Sequence, residues 1–182
     1  MKIALSLMGL LLAVPLLAST GKESGKDEGS VAPPIPFTSA SGYSVMPAPG
    51  WRQDSSGRLH TDVVFFAPSV EGFAANLNVK IRARDADQTL DADRAAMNLS
   101  NPRIFKDYAL VSQESRPLDG VPAVWTVATF KILQPALMLR LYRIEAIKGD
   151  KVYYIDAAEQ EDCRDRFDAP IMGMLNSLKW TP

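Results

Sequence analysis

The sequence predicts an α+β domain in which a central antiparallel sheet packs against helices. Most of the predicted elements are strands, and the last four follow one another through turns that are too short for a parallel return. Two helical segments interrupt the strands, one after the early strands and one near the carboxyl end. This order of strands and helices is typical of an antiparallel sheet with helices packed on it.

Three segments divide the chain. Residues 1–20 contain Lys2 and then an almost wholly apolar run followed by small residues, which is the pattern of a cleaved secretory signal. Residues 21–36 are rich in charge and glycine and then in proline, so they predict a flexible tether. Residues 37–182 are long enough for one domain with its own core. The alternative for residues 1–20 is an uncleaved membrane anchor.

The early strands are expected to differ in how far their two faces are buried. Residues 43–46 form a short strand that ends at two prolines, and Trp51 is expected to plug the end of the sheet or to contact a helix. Residues 61–68 are apolar on both faces, which predicts an interior strand. Residues 74–83 alternate strictly, so one face should be buried and the other wet or weakly covered. We call the polar side of this strand the polar row, and its members are Asn76, Asn78, Lys80 and Arg82.

The later elements form a meander and two helices. The four strands of the meander are predicted at residues 109–116, 121–132, 136–147 and 152–158. The first helix spans residues 89–100 with Thr89 as its N-cap, and its modest apolar stripe consists of Ala92, Ala95, Ala96 and Leu99. The second lies within residues 161–178, where large apolar side chains recur at helical spacing: Phe167, Ile171, Met174, Leu175 and Leu178. Either this helix starts just before Pro170, or a short first turn is kinked there.

Composition argues against several classes of function. The chain has 20 basic and 21 acidic residues and a net charge of −1, so it lacks the basic excess of a nucleic-acid-binding protein. It contains one histidine and one cysteine, whereas zinc sites use several such ligands. The acidic stretch at residues 85–93 lacks the spacing of a calcium loop. We therefore expect neither a metal nor a cofactor.

The polar row is the candidate ligand-binding site. Amide and cationic side chains in a row along one strand can bind a carboxylate, a phosphate or the surface of a partner protein. A solvated sheet face with no ligand has the same pattern. No other motif of the sequence points as directly to binding.

An enzymatic alternative depends on His60, the only histidine. A hydrolase or another enzyme would have to use His60 with an acidic residue or with Cys163. The G-x-S-x-G turn of the serine hydrolases is absent from the sequence. Cys163 itself is either a reactive thiol or simply a small residue near the start of the last helix.

Several stretches, taken in order, resemble the PsbP-like fold family. They are "GYSVMPAPGW" at residues 42–51, "VVFFAP" at 63–68, "NLNVKI" at 76–81, "GVPAVWTVATF" at 120–130 and the closing "SLKW" at 177–180. Together with the signal-like start, they look closest to bacterial DcrB-like envelope proteins. The resemblance implies an α/β/α sandwich. It transfers no catalytic or binding residues, since functions within the family differ.

The resulting expectation is an exported, non-enzymatic accessory or binding protein of the bacterial envelope. Its location would be periplasmic or secreted, and it would not be a lipoprotein, because no cysteine follows the signal. Its partner would be another envelope protein or a small ligand rather than nucleic acid. Contact with a membrane is expected only if residues 1–20 remain attached.

Overall fold

The computed structural model describes residues 34–182, which form ten strands, two α-helices and a short 3-10 helix at Glu161–Cys163. The predicted signal segment and most of the predicted tether lie outside the described residues. In chain order the strands are β1 Phe37–Ser39, β2 Tyr43–Val45, β3 Arg52–Asp54, β4 Val63–Phe66, β5 Asn76–Ala83, β6 Lys106–Ser115, β7 Ala123–Leu133, β8 Ala136–Lys148, β9 Lys151–Gln160 and β10 Lys179–Trp180. Helix α1 spans Leu90–Ile104 and helix α2 spans Arg164–Ser177.

Seven strands form one antiparallel sheet in the order β3-β4-β5-β9-β8-β7-β6, and β1, β2 and β10 form a small second sheet. The four strands β6 to β9 are a meander, as their short turns predict. The early strands join this meander through its last member, because β5 pairs with β9 along its full length. The predicted α+β class is therefore confirmed.

One face of the seven-stranded sheet packs against α2, and we call it the α2 face. The predicted stripe of α2 is confirmed, because all five of its apolar side chains are buried. They meet an apolar layer of the sheet, whose members include Phe65, Leu77, Val79, Ile144 and Ile155. Helix α2 begins at Arg164 and continues through Pro170, so a start just before the proline is wrong.

The stretch from Gly42 to Trp51 links the two sheets. Strand β2 ends before Pro47 as predicted, but it belongs to the small sheet rather than to the main one. Gly50 adopts φ +74°, a left-handed conformation that favours glycine. Trp51 contacts Phe167 of α2 edge to face, with 6.3 Å between the ring centroids. Trp51 was predicted either to plug the end of the sheet or to contact a helix, and the structure shows the helix contact.

Helix α1 lies on the opposite side of the sheet, which we call the α1 face, so helices flank the sheet on both sides. Its predicted apolar stripe is not turned inward: Leu99 is 67% exposed, and the three alanines are exposed as well. Its polar side faces the sheet instead. Asn98 bonds to Gln113, and Asn101 donates to the Tyr108 hydroxyl. The stripe prediction is wrong because the sheet beneath α1 is itself polar.

The end of the α1 face beyond the helix is apolar. Phe73, from the turn between β4 and β5, packs there with Phe130 and Leu139. Phe105, directly after α1, lies with its ring centroid 4.6 Å from that of Phe130. The α1 face is thus divided into a polar part under the helix and an apolar part past its carboxyl end.

We expect Ile171→Ala to lower the free energy of unfolding by about 2–5 kcal/mol, because it leaves a cavity between α2 and the sheet. Ile171 is fully buried. The control Asn176→Ala changes an exposed residue of the same helix and should alter stability by less than about 0.5 kcal/mol. Urea unfolding measures both, and equal effects would contradict the packing of α2 described above.

Candidate functional site

The polar row runs from a buried start to an exposed end. Asn76 and Asn78 are 1% and 2% exposed, Lys80 is half-buried and Arg82 is exposed. The prediction of a wet or weakly covered face is therefore wrong for the two asparagines. The Asn78 side chain donates to the backbone carbonyl of Asp156, at 3.3 Å, because β9 lies directly beside β5.

The polar row continues across the sheet on the α1 face. Asn78 pairs in register with Asp156, which pairs with Arg143 of β8. In the next layer Lys80 pairs with Tyr154, and Tyr154 pairs with Glu145. Cross-strand neighbours of this kind have Cβ atoms about 5 Å apart, so their polar groups interact. We call Lys80, Arg82, Arg143, Glu145, Tyr154 and Asp156, together with Gln88 and Asp93 beside α1, the polar network.

A buried ion pair lies at the centre of the polar network. Arg143 donates through Nε and Nη2 to the two carboxylate oxygens of Asp156, each at 2.5 Å. The two side chains are 5% and 4% exposed. Burial lowers the pKa of Arg143, but the charge of Asp156 more than offsets this, so the pKa lies above its ordinary value. Both groups are therefore charged in the interior, and each depends on the other.

Glu145 is the second buried acid of the polar network. No donor among the described residues reaches either of its carboxyl oxygens, and it faces the carboxyl of Asp93. Burial, followed by the neighbouring Asp93, raises the pKa of Glu145 to about 9. Two carboxyls in contact need one proton between them, and the more buried Glu145 holds it. The Asp93 carboxylate also accepts a hydrogen bond from Gln88 Nε2.

The exposed end of the polar network is cationic. Arg82 donates from Nη2 to the Tyr154 hydroxyl at 3.2 Å, and its guanidinium carbon lies 5.3 Å from the centroid of the Tyr154 ring. Burial lowers the pKa of Lys80, an effect that Asp156 opposes. With Glu145 neutral, the polar network holds three cations, Lys80, Arg82 and Arg143, against two carboxylates, those of Asp93 and Asp156. We call Lys80 and Arg82 the cationic rim.

A separate group of ionisable side chains lies on the α2 face. The Tyr142 hydroxyl is 2.7 Å from Glu159 Oε1 and 2.5 Å from Asp168 Oδ1. A hydroxyl can donate only one hydrogen, so one of the two carboxyls must supply the proton for the second bond. Burial raises the pKa of Glu159 to about 7, which makes Glu159 the protonated partner over much of the acidic range. Beside this group Arg140 forms a two-bond ion pair with Glu161.

The enzymatic alternative needs His60 together with an acidic residue or Cys163, and the structure places His60 and Cys163 in separate segments. His60 is exposed in the loop between β3 and β4, where its backbone has φ 56°. Cys163 is half-buried at the end of a short 3-10 helix, and its thiol donates to Gln160 Oε1 at 2.9 Å. No hydrogen bond joins the two residues. Cys163 is thus placed, as one of the two interpretations predicts, at the start of the last helix.

Two further observations concern metals and membranes. Within residues 34–182, no group of three or more His, Cys, Asp or Glu side chains is arranged to hold a metal ion. In the same part of the chain, no helix is both long and apolar enough to cross a membrane.

Sequence reasoning missed the interior of the polar network. Arg143 and Glu145 lie in β8, which was predicted only as a long strand. The signal was present, because charged residues within a long apolar strand of a meander are buried and need partners. The partners themselves, Asp156 and Asp93, could not be identified without the register of the strands and the position of α1.

The fold is similar to that of several solved structures. The cyanobacterial PsbP protein from Synechocystis sp. PCC 6803 matches with a TM-score of 0.58 and 18% identity, over 88% of this chain and 99% of that one. LpqN from Mycobacterium tuberculosis, described as involved in cell envelope biogenesis, matches with a TM-score of 0.61 and 10% identity, over 85% and 88% of the two chains. The Ran-binding protein Mog1p from Saccharomyces cerevisiae matches with a TM-score of 0.50 and 9% identity, over 81% of this chain and 96% of that one.

These likenesses are to the fold, since all three identities are low. No protein-family profile matches the chain, and no curated protein sequence matches it. The chain therefore has the PsbP-like fold, with a seven-stranded antiparallel sheet between two helices. A specific likeness to the DcrB-like proteins is not among these findings.

We expect Asp156→Asn to lower the free energy of unfolding by roughly 3–5 kcal/mol, because it leaves the buried Arg143 without a counter-charge. The matched control is Asp91→Asn, which breaks an exposed ion pair with Arg94 on α1. That control should cost about 1 kcal/mol or less. Urea unfolding at neutral pH compares the two variants. Similar losses in the free energy of unfolding would show that the buried ion pair matters no more to stability than the exposed one.

We expect the protein to lose stability as the pH rises from 5 to 8. The pKa values of Glu145 and Glu159 in the folded protein, about 9 and about 7, lie above that of an unfolded glutamate. The protonated form of each glutamate stabilises the folded protein fully when the pH lies below the pKa of the unfolded state. This stabilisation is lost as the pH rises through the pKa of the folded state, at up to about 1.4 kcal/mol of unfolding free energy per pH unit for each group. Urea unfolding of the protein at pH 5, 6, 7 and 8 measures the slope.

The variant Glu159→Gln isolates one of the two groups. It should reduce the slope between pH 5 and pH 7, because the amide does not titrate, and it should leave the contribution of Glu145 in place. If the stability of the wild-type protein stays constant or increases from pH 5 to pH 8, the raised pKa values assigned to Glu145 and Glu159 are contradicted.

Proposed function

We propose that this chain is an exported, non-enzymatic accessory protein of the bacterial envelope, of the DcrB-like kind. Its cationic rim binds an anionic group, a carboxylate or a phosphate, of a partner protein or small ligand. The observation that carries this proposal is the arrangement of Lys80 and Arg82 at the exposed end of a buried polar network.

The cationic rim is held in place before any ligand arrives. Arg82 lies against the Tyr154 ring and donates one hydrogen bond to its hydroxyl, while a guanidinium carries five N–H donors. The remaining donors form a planar fork that matches a carboxylate or a phosphate. Because the side chain is fixed by Tyr154, binding costs less conformational entropy than it would with a free arginine.

The interior of the network adds to the attraction for an anion. The guanidinium carbon of Arg143 lies 5.8 Å from the same Tyr154 ring, and Asp156 already neutralises Arg143. Protonated Glu145 contributes no negative charge in the neutral range. An anion at the rim would therefore meet a surplus of positive charge, and the half-buried Lys80 would be screened less by water than the exposed Arg82.

The cellular location rests on other features. The first 20 residues have the pattern of a secretory signal, and residues 21–36 have the composition of a tether. The fold is shared with LpqN, which is described as involved in cell envelope biogenesis. These features favour a role in the envelope after export, either periplasmic or secreted. Binding rather than catalysis is favoured because, within residues 34–182, no hydrogen bond or ion pair joins the exposed His60 side chain to an acidic residue or to Cys163.

We expect the double variant Lys80→Ala, Arg82→Ala to lose the capture of envelope components that the wild-type protein retains. Both proteins are immobilised and exposed to an extract of the envelope fraction, and bound proteins and small molecules are quantified by mass spectrometry. Retention by the wild type should also fall as the salt concentration rises, because the rim is partly exposed.

Two controls accompany this measurement. Arg58→Ala with Arg103→Ala removes the same charge from exposed positions outside the polar network and should leave capture unchanged. His60→Ala tests the enzymatic alternative and should likewise have no effect on capture. If the Lys80 and Arg82 variant retains the same components as the wild type, the cationic rim is not the binding site.

A further inference from the structure

A single hydroxyl group bridges the amino-terminal part of helix α2 and the sheet. Tyr142 on β8 lies 2.7 Å from Oε1 of Glu159 on β9 and 2.5 Å from Oδ1 of Asp168 on α2. Because tyrosine has one hydrogen to donate, both bonds form together only when a carboxyl brings a second hydrogen. Tyr142 then donates to Asp168, and Glu159, the more buried of the two acids, donates its proton to the Tyr142 oxygen. The bridge therefore contains one proton that can be lost.

The surroundings of Glu159 determine how tightly this proton is held. Glu159 is fully buried, and its Oε2 has no hydrogen-bond partner within residues 34–182. Burial raises the pKa of Glu159 to about 7. The titratable and charged groups that face it from β8 and α2 are Tyr142, Arg140, Asp168 and Arg164. The charge of Asp168 raises this pKa further, whereas the Tyr142 bond and the two arginines lower it in part, and Arg140 is already held by Glu161 through two bonds.

Pro170 divides α2 into two parts that are attached with different strength. A proline has no backbone N–H, so the helix lacks one of its internal hydrogen bonds there, and helices usually bend at such positions. After Pro170, the side chains of Ile171, Met174 and Leu175 are at most 1% exposed and pack on the sheet. These three side chains fix the second part, so bending at Pro170 leaves it in place.

The first part of α2, residues 164–169, has fewer attachments. Of these six residues, only Phe167 is a large apolar residue, and it is buried. At the start of the helix Cys163 makes no side-chain capping bond, although such a bond typically contributes about 1 kcal/mol. Asp168 supplies the other attachment, because it accepts the bond from Tyr142. Docking of this part therefore depends on that bond more than docking of the second part does.

We propose that residues 164–169 form a proton-controlled flap, which is docked on the sheet while Glu159 holds its proton and moves away by bending at Pro170 when that proton is lost. Without the proton, two carboxylates compete for one hydroxyl hydrogen, and their like charges repel each other at close range. Glu159 is fixed in β9, inside the sheet, whereas Asp168 lies on the weakly attached part of α2. Relief of the repulsion therefore moves Asp168, and with it the flap.

The flap opens as the pH rises. In the open form water reaches Glu159, so its pKa returns toward the ordinary glutamate value of about 4.3. In the docked form that pKa is about 7. The docked form therefore binds the proton more tightly, and the equilibrium constant for opening increases by up to about tenfold per pH unit between the two values. Below the lower value the docked form is fully stabilised, and above the higher value the dependence levels off, because both forms have then lost the proton.

Opening of the flap exposes an aromatic contact. In the docked form Phe167 is 5% exposed and lies edge to face with Trp51, with 6.3 Å between the ring centroids. Phe167 directly precedes Asp168, so movement of Asp168 separates the two rings. A higher pH thus uncovers apolar surface on α2 and on Trp51. This behaviour goes beyond the anion binding proposed for the cationic rim and does not depend on it.

Hydrogen exchange of backbone amides, measured by NMR spectroscopy on the purified protein at pH 5, 6 and 7, tests the proposal. A protection factor compares each amide with an unstructured peptide at the same pH, so the chemical effect of pH on exchange is divided out. We expect the amides of Asp168 and Ala169 to be at least about tenfold less protected than those of Met174 and Leu175. Protection of Asp168 and Ala169 should also fall by at least about tenfold from pH 5 to pH 7.

Two variants and a control separate the roles of the groups. In Glu159→Gln the amide can donate to the Tyr142 oxygen as protonated Glu159 does, but it does not titrate. Protection of Asp168 and Ala169 in this variant should change by less than about twofold from pH 5 to pH 7. Tyr142→Phe removes the bridge and should lower their protection at pH 5 by at least about fivefold. The control Asp165→Asn removes an exposed charge from the flap and should keep the dependence on pH of the wild type.

Three results would overturn the proposal. Equal protection on the two sides of Pro170 at each pH would mean that α2 opens as one unit. Protection of Asp168 and Ala169 that stays constant in the wild type from pH 5 to pH 7 would show that no proton controls the flap. An undiminished fall of protection in Glu159→Gln would assign the control to another acid. The experiment at the cationic rim is independent, because Lys80 and Arg82 are unchanged in all of these variants.

Discussion

The buried pair of Arg143 and Asp156 is the constraint on which the rest of the α1 face depends. The two residues lie on β8 and β9, in the middle of the seven-stranded sheet, where water does not reach them. A buried ion pair is stable only when neighbouring groups satisfy its remaining donors and acceptors. The Asn78 amide on β5 donates to the backbone carbonyl of Asp156, and the Met97 sulfur on α1 accepts from Arg143 Nη1. The polar character of this face, and the side of α1 that meets it, follow from that requirement.

The two helices are consequently held by different forces. Helix α2 buries a continuous apolar stripe, so its docking is driven by the removal of apolar surface from water. Helix α1 meets the sheet through side-chain hydrogen bonds, and its small apolar residues face outward. Contacts of this kind contribute less net stability than buried apolar area does. On physical grounds α1 as a whole is the less strongly held of the two helices.

Helix α1 also covers part of the polar network. It contributes Asp93, which accepts from Gln88, and Met97, which accepts from Arg143, and the open end of the network is the cationic rim. Glu145 and Glu159 hold protons on opposite faces of the same sheet, each because burial disfavours its charged form. In the neutral range the uncharged Glu145 leaves the polar network with its surplus of positive charge. Burial therefore determines both the stability of the domain and the sign of the charge that it presents at the rim.

The sequence by itself determined the elements and their class. The alternation at residues 74–83 identified β5 and the four residues that share its polar side, because the period of a strand is a local property. The short turns of β6 to β9 required antiparallel neighbours. The stripe of α2 was predictable because it consists of large apolar residues, whereas the small residues of α1 favour burial too weakly to decide which side faces the sheet.

Only the tertiary structure decided which polar residues are buried together. Asn78 meets Asp156 across 78 positions of the chain, and no local pattern encodes that pairing. Lys80 and Arg82 were candidates from the sequence, but Arg143, Glu145 and Asp156 became part of the site only through the register of three strands. The apolar cluster past the end of α1 likewise combines a turn, a helix end and two strands that are far apart in the sequence. Burial and charge pairing depend on long-range contacts, and for this reason they were decided by the fold rather than by any local pattern.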